Sequence, residues 1–316
     1  MKRIISLIAL IGLIVSAYAQ TSTLVTLDHN GEQTFFDNVN GLSDAIKAAV
    51  DGDKIYLSSG NFVSPSKITM DKAVSIIGNG YDTYILPEIE FNFTEDKTYA
   101  APAFEGVFLE KLSNFSNTNY IHAEITLRTC KIRNFDALYF KSITIDRCYI
   151  GVFDNYSGKS CEQVNIMNSK IESFKGGNAE IVGNCNIGEI TTSSYKPKSL
   201  SSSIVNSASL TSSHDVVMVN CLIGKNTYNG GTDQLILDNC YRLEADAEVL
   251  DGNLECTIDL VQKGYLGTDG TQVGVYGGEW MPYTTVPTLP TVDKSASSVT
   301  YDAENNQLKV NIKIME

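Results

Sequence analysis

Across residues 125–242 apolar and polar positions alternate in short runs built on one phrase: apolar, any, apolar, two of anything, small, any, apolar. Copies begin at Ile125, Ile143, Val164, Glu180, Ser203, Val216 and Leu235. The small position is then Cys130, Cys148, Ser169, Cys185, Ala208, Cys221 and Cys240, at intervals of 18, 21, 16, 23, 13 and 19 residues. Alternation with period two is the mark of a half-buried strand, and no 3.6-residue period runs through the region. Equal strands joined by unequal loops describe a coil whose strands stack while its corners vary, each unit burying its apolar face only against the next.

The pattern assigns inward positions to Ile125, Leu127, Ile143, Ile145, Val164 and Ile166. Asn168, Asn184, Asn220 and Asn239 precede the small slot in four copies, and Asn tolerates left-handed backbone better than other non-glycine residues, so a tight corner is expected there. After it a second strand runs inward through Ile132, Ile150, Ile171, Ile187, Leu210 and Ile223, followed by an inward stack of Phe135, Phe153, Phe174 and Ile190. Earlier coils are expected around residues 74–78, 84–86 and 107–109. Leu42, Ala45, Ile46 and Ala49 share one face of an amphipathic helix that ends near Gly52 and covers the open end of the stack. At the other end Leu308, Val310, Ile312 and Ile314 alternate as a strand.

The amino terminus carries Lys2 and Arg3, an apolar run over residues 4–15, and the small-x-small sequence Ala17-Tyr18-Ala19, the layout of a secretory signal peptide. Residues 1–19 are therefore expected to be removed, giving an exported chain that is secreted, periplasmic or displayed at the cell surface. No later stretch is apolar enough to span a membrane. Loss of Lys2 and Arg3 takes the formal charge from −13 to −15, which disfavours nucleic acid and other polyanions as partners and leaves neutral glycans and proteins. Five of the seven cysteines share the small slot with Ser169 and Ala208, so the slot selects small volume and its thiols form a buried, unbridged column. Cys161 and Cys256 lie off that register and are the candidate pair for a disulfide.

The segments DAIKAAVDGDKIYL from Asp44 with Gly60-Asn61-Phe62, and GTDGTQVGVYGG from Gly267, resemble the amino-terminal cap and the closing segment of secreted bacterial β-helices of the pectin-lyase-like superfamily. Gln272 and Val275 depart from the acidic residue and alanine common there. The resemblance implies an all-β chain: a single-stranded right-handed parallel β-helix over residues 20–281 with a short N-terminal capping helix. Residues 282–316 follow as a linker and a C-terminal β tail packing back on the coil. It implies no single activity, because the superfamily mixes lyases, hydrolases, adhesins and non-catalytic members. The Asn-Thr-Asp, Gly-His-Gly and Arg-Ile-Lys segments of polygalacturonase-like enzymes are missing, as is the acidic calcium cluster of pectate lyases.

Candidate chemistry lies on outward positions, which stacking brings about 5 Å apart. Arg128 and Asp146 hold equivalent slots on adjacent coils, and Lys131, Tyr149 and Lys170 form a second column, with Arg133 and Glu172 two residues on. Arg128, Lys131, Asp146, Tyr149 and Lys170 form the candidate ligand-binding wall, suited to a polysaccharide or cell-surface glycan; the plainer expectation is a solvated face of weak ion pairs. A polysaccharide lyase or glycoside hydrolase in the same groove is the alternative. It would draw on Asp136, Asp146, Asp154 and Glu172 as carboxyls, or on Lys131, Lys170 or Arg128 as base. No metal or cofactor is implied, calcium entering only with the lyase alternative. His29, His122 and His214 are widely separated and read as surface residues. The outward series Ile181, Ile204, Val217 and Ile236 forms an apolar patch that the C-terminal tail is expected to cover. Trp280 is expected to close the carboxy end of the stack.

Overall fold

The computed structural model describes residues 23–278 except for loop segments at 65, 94–98, 115–120, 137–139, 155–162, 176–178, 193–197, 211–215, 225–226, 230–234 and 244–248, together with strands at 291–292, 298–302, 307–311 and 314–315. The chain is an all-β parallel solenoid with one helix near its start. A 12-stranded sheet opens with an antiparallel hairpin, Val25–His29 and Glu32–Phe36, whose first strand also pairs antiparallel with Lys54–Leu57. From there to Leu235–Asp238 every pairing in this first sheet is parallel. A second, 13-stranded sheet takes most of its strands directly after a corner from the first, while Ile68–Met70, Ile89–Phe91 and Thr227–Asn229 follow strands of the second sheet itself.

Register aligns the apolar positions into columns. Leu127, Ile145, Ile166, Val182, Leu200 and Met218 face inward on successive coils and are buried, while Leu237 at the far end is 41% exposed. The expected aromatic stack is present: Phe135 and Phe153 have ring centroids 5.6 Å apart, and Phe153 and Phe174 5.1 Å. The helix Gly41–Ala48 buries Leu42, Ala45 and Ile46, with Ala49 just beyond it, against Val25, Leu27 and Ile55. The preceding hairpin, which closes the first sheet's edge, carries no strong periodic signal: Glu32–Phe36 is mostly exposed.

The seven corners from Thr129 to Asn239 are left-handed. Thr129, Arg147, Asn168, Asn184, Ser202, Asn220 and Asn239 have φ of 51°, 54°, 51°, 50°, 47°, 54° and 45°. Ser202 corrects the fifth copy of the phrase. The slot residue there is Ser203, not Ala208: Ser203 is buried behind the Ser202 corner, with Asn186 opposite Ile204 and Ile187 opposite Val205. Intervals of 23 and 13 residues become 18 and 18. Val205, not Leu210, holds the inward position after the corner, and Ala208 takes the place of Ile190 on the neighbouring coil. With Ala208 removed, every slot from Cys130 to Cys240 is Cys or Ser, and the reason is a hydrogen bond. The amides of Cys130, Cys148, Cys185 and Cys221 donate to the slot sulfur or oxygen of the next coil, at 3.4, 3.1, 3.1 and 3.4 Å. The slot hydroxyl or thiol in turn donates to the carbonyl two residues before it, as Ser169 does to Met167 at 2.7 Å. Small volume alone, the expectation from sequence, understates the requirement.

The second sheet bends one residue past its first inward position. Around that bend Arg133, Gly151, Glu172, Gly188, Asn206 and Gly224 follow one another on successive coils. A Cβ on Gly151, Gly188 or Gly224 would lie 2.6 Å from the carbonyl oxygen of Arg133, Glu172 or Asn206 respectively.

Strands Ser298–Asp302 and Gln307–Asn311 form an antiparallel hairpin, and Thr291–Val292 pairs with Ile314–Met315. The tail is thus paired with itself instead of contributing a lone strand to the coil's sheets. Trp280, His214, Cys161 and the signal segment lie outside the described residues. Among the described residues no helix is long and apolar enough to cross a membrane.

Two outcomes follow from this packing. Gly151→Ala forces a methyl group onto a backbone carbonyl and is expected to cost about 1–3 kcal/mol, read as a fall in the midpoint of thermal or urea unfolding. The thiols separate by environment: burial pushes Cys148 up and takes Cys185 to about 12, whereas the Cys221 side chain and amide, both donating towards Cys240, hold its half-buried thiol down at about 7. Iodoacetamide at neutral pH should therefore label Cys240 in the folded protein, and Cys130, Cys148 and Cys185 only after unfolding, as mass spectrometry of the digested protein would show.

Candidate functional site

The five candidate residues fall on two faces. Arg128 and Asp146 are paired in register at the ends of first-sheet strands, while Lys131, Tyr149 and Lys170 open consecutive second-sheet strands beyond the left-handed corner. Asp146 turns away from Arg128: it meets Arg147 Nε at 2.9 Å and accepts from Asn168 Nδ2 at 3.0 Å. The structure therefore gives a corner ion pair on one side and a separate column on the other.

That column is longer than its sequence signature. Stacking places Asn61, Tyr84 and Phe108 before Lys131, Tyr149 and Lys170. The Tyr84 and Phe108 rings stack with centroids 4.2 Å apart. Lys131 Nζ lies between rings, 5.1 Å from the Phe108 centroid and 5.3 Å from that of Tyr149, within the range of a cation–π contact. All four side chains are half-buried, so the rings keep part of their surface in solvent.

A row of charges fixes the ladder's edge. Glu110 accepts the Tyr84 hydroxyl and pairs with Arg133 Nη1 at 2.7 Å; Glu172 accepts the Tyr149 hydroxyl at 2.6 Å. Its hydrogen bond to Glu110 pushes the Tyr84 phenol above the usual tyrosine range. The sequence places Tyr84 and Phe108 in early coils but does not join them to the candidate wall, because those coils carry Thr83 and Val107 in the slot in place of Cys or Ser. Counting one residue past those positions would have found them.

Lys170 occupies its expected register but is unavailable to a ligand. It is 1% exposed, ion-paired with Glu255 and within 3.3 Å of the Asn253 carbonyl. Residues 249–278 lie across the second sheet here, closed on themselves by bridges Leu250 to Cys256 and Leu266 to Gln272. Their apolar side chains, Val249, Leu254, Leu260 and Val273, bury Ile204 and Leu222 in a small second core. Corner asparagines anchor the cover: Asn184 Nδ2 donates to the Gly277 carbonyl at 2.6 Å, and Asn220 Nδ2 to Thr268 Oγ1 at 3.1 Å. Gly274, at φ 87°, donates to the Ser202 carbonyl, and a Cβ there would strike Asn186 Oδ1 at 2.6 Å. The segment resembling a carboxy-terminal closure is thus a lid over a side of the coil.

Ile204 consequently leaves the proposed aliphatic patch. The outward series on the first sheet runs Ile181, Ser199, Val217, Ile236, with Ile181 and Ile236 47% and 43% exposed. Of the carboxyls considered for hydrolysis, Asp136 and Asp154 are register neighbours on adjacent coils. Asp136 pairs with Lys111 at 3.3 Å, and Lys111 with Glu88 at 3.0 Å. Burial pushes Glu88 up, but the Ser113 hydroxyl and Lys111 outweigh it and hold the carboxyl below its ordinary value, the wrong direction for a general acid. Among the described residues no three His, Cys, Asp or Glu side chains gather as a metal-binding group. His29 is not idle at the surface: its Nδ1 lies 2.7 Å from the buried Asp53 carboxylate.

Removing Glu255 would strand a buried ammonium. Because Glu255 is itself 40% exposed, the expected cost of Glu255→Ala is about 2–3 kcal/mol, below that of a fully enclosed pair. Limited proteolysis should then cut within residues 249–278 first, and Lys170→Met in the same protein should restore resistance.

Neither a scan of protein-family models nor a search of curated proteins gives a match to this chain.

Proposed function

We propose that this is an exported, non-catalytic β-solenoid that binds a neutral glycan along the ladder Tyr84, Phe108, Lys131, Tyr149. The observation that carries the reading is the ring–ring–ammonium–ring series at successive coils, half-exposed and held at its edge by Glu110, Arg133 and Glu172. An extended chain of pyranoses advances by roughly the coil spacing, about 4.8 Å, per sugar. Ring faces accept the apolar C–H face of a sugar, and the fixed carboxylates and guanidinium offer partners to its hydroxyls. Acidic and basic groups alternate along the edge, and the chain is acidic as a whole, which favours a neutral polymer over a polyanion. Export rests on the layout of residues 1–19, and periplasmic, secreted and surface destinations all agree with it.

A lyase or hydrolase on the same flank is the second reading, supported by the adjacency of Asp136 and Asp154. One experiment addresses both. The full chain is run by native electrophoresis through gels containing xylan, mannan, a β-glucan or polygalacturonate, and the same mixtures are assayed for new reducing ends and unsaturated products. Retardation in a neutral gel is expected, and Tyr149→Ala or Phe108→Ala should weaken it about tenfold, equivalent to about 1.4 kcal/mol. Mobility unchanged in every neutral gel, or retardation indifferent to both variants, sinks the ladder reading. Product formation replaces binding with catalysis.

A further inference from the structure

The ladder is blocked at one end. One coil past Tyr149 the column meets Lys170 under Glu255, and on the following coils Asn186 and Ile204 pass beneath residues 249–278. Between this cover and the coil lies a cleft of about 280 Å³. Its floor is apolar, from Ile204 and Val273, and its walls carry Glu255, Asp259, Gln272 and Tyr276. The volume is just under the range of about 300–1,000 Å³ typical of drug-sized ligands, which suits one sugar ring and little more.

The wall chemistry is acceptor-rich. Glu255 gives one oxygen to Lys170 and the other to the Tyr276 hydroxyl at 3.3 Å, a long contact that a ligand hydroxyl would improve. Asp259 Oδ1 takes the Gln262 amide at 2.9 Å, leaving its carboxylate a second oxygen to offer. Gln272 Nε2 reaches the Tyr276 carbonyl at only 3.4 Å. Carboxylates beside an apolar floor select a ligand with several hydroxyl donors and one C–H face, and they repel a uronate.

We infer that this cleft is a blind end subsite, taking the terminal pyranose of a neutral glycan whose next sugars pass over the Lys170–Glu255 pair and onto Tyr149. The inference rests on the ladder reading and adds a property to it: the protein recognises chain ends, because residues 249–278 stand across the column's path at Lys170, Asn186 and Ile204.

The test titrates the full chain with hexasaccharides of β-1,4-linked xylose, glucose and mannose, and with the parent polymers at matched mass and different lengths. Asp259→Asn keeps the turn acceptor and Gln272→Ala lies at the cleft wall, so one serves if the other fails to fold; thermal unfolding identifies which. Either variant is expected to weaken the hexasaccharide that binds about tenfold, and polymer binding should count one protein per chain end whatever the length. Binding that stays within about twofold in a folded variant, or polymer stoichiometry that rises with chain length, overturns the end subsite. Loss with Tyr149→Ala but not with the cleft variants leaves the ladder standing and the subsite refuted. No binding of any hexasaccharide refutes both.

Discussion

Successive coils are held together at a point that no strand ladder supplies, the amide behind the left-handed corner, as at Cys130, Cys148, Cys185 and Cys221. A strand entering a turn of about 50° in φ points its next amide along the coil axis, into a dry interior where an unmet donor costs about 1–3 kcal/mol. Cys and Ser in the slot meet it from the coil above. The constraint fixes small volume, polarity and position together, and it forces the residue before the slot into a backbone shape that Asn tolerates. Columns of Ile, Leu and Phe then fall into line because the corners do.

The same corners serve the outside. Asparagines selected for their backbone present side-chain amides along one edge, and the cover uses them as a rail, through Asn184, Asn220 and Asn239. Where the cover lies, the outward column of the second sheet changes character: Lys131 and Tyr149 give way to Lys170, sealed by Glu255, then to Asn186 and Ile204 inside a second core. A solvated ladder and a covered one are thus consecutive stretches of a single register. The ion pair at Lys170 marks their boundary, and its buried ammonium is tolerable only because the cover brings a carboxylate.

How much of this was legible in the sequence follows from which residues carry a period. Ile, Leu and Val at alternating positions announce the coil, and four asparagines announce its corners. The fifth copy misled because Lys198 and a run of serines stand where the other coils have aliphatics, while Ile204 and Val205, which belong to the next strand, mimic the missing start. Outward positions have no such redundancy. Tyr84 and Phe108 belong to coils without a Cys or Ser marker, and Glu255 finds Lys170 across 85 residues through a segment with no repeat at all. The opening hairpin escaped for a related reason: its second strand is exposed and so leaves no alternation to read.

Glycine at the second-sheet bend carries a consequence for how such a coil can change length. Over Arg133, Gly151, Glu172, Gly188, Asn206 and Gly224 a bare backbone alternates with a substituted one, each glycine receiving the carbonyl of its predecessor. Excising the coil of Gly151 would bring Arg133 against Glu172, whereas excising the coil of Glu172 would bring two glycines, Gly151 and Gly188, together. Excising two preserves the beat. Although the repeating phrase is one coil long, the smallest module that keeps the alternation from Arg133 to Gly224 is a pair.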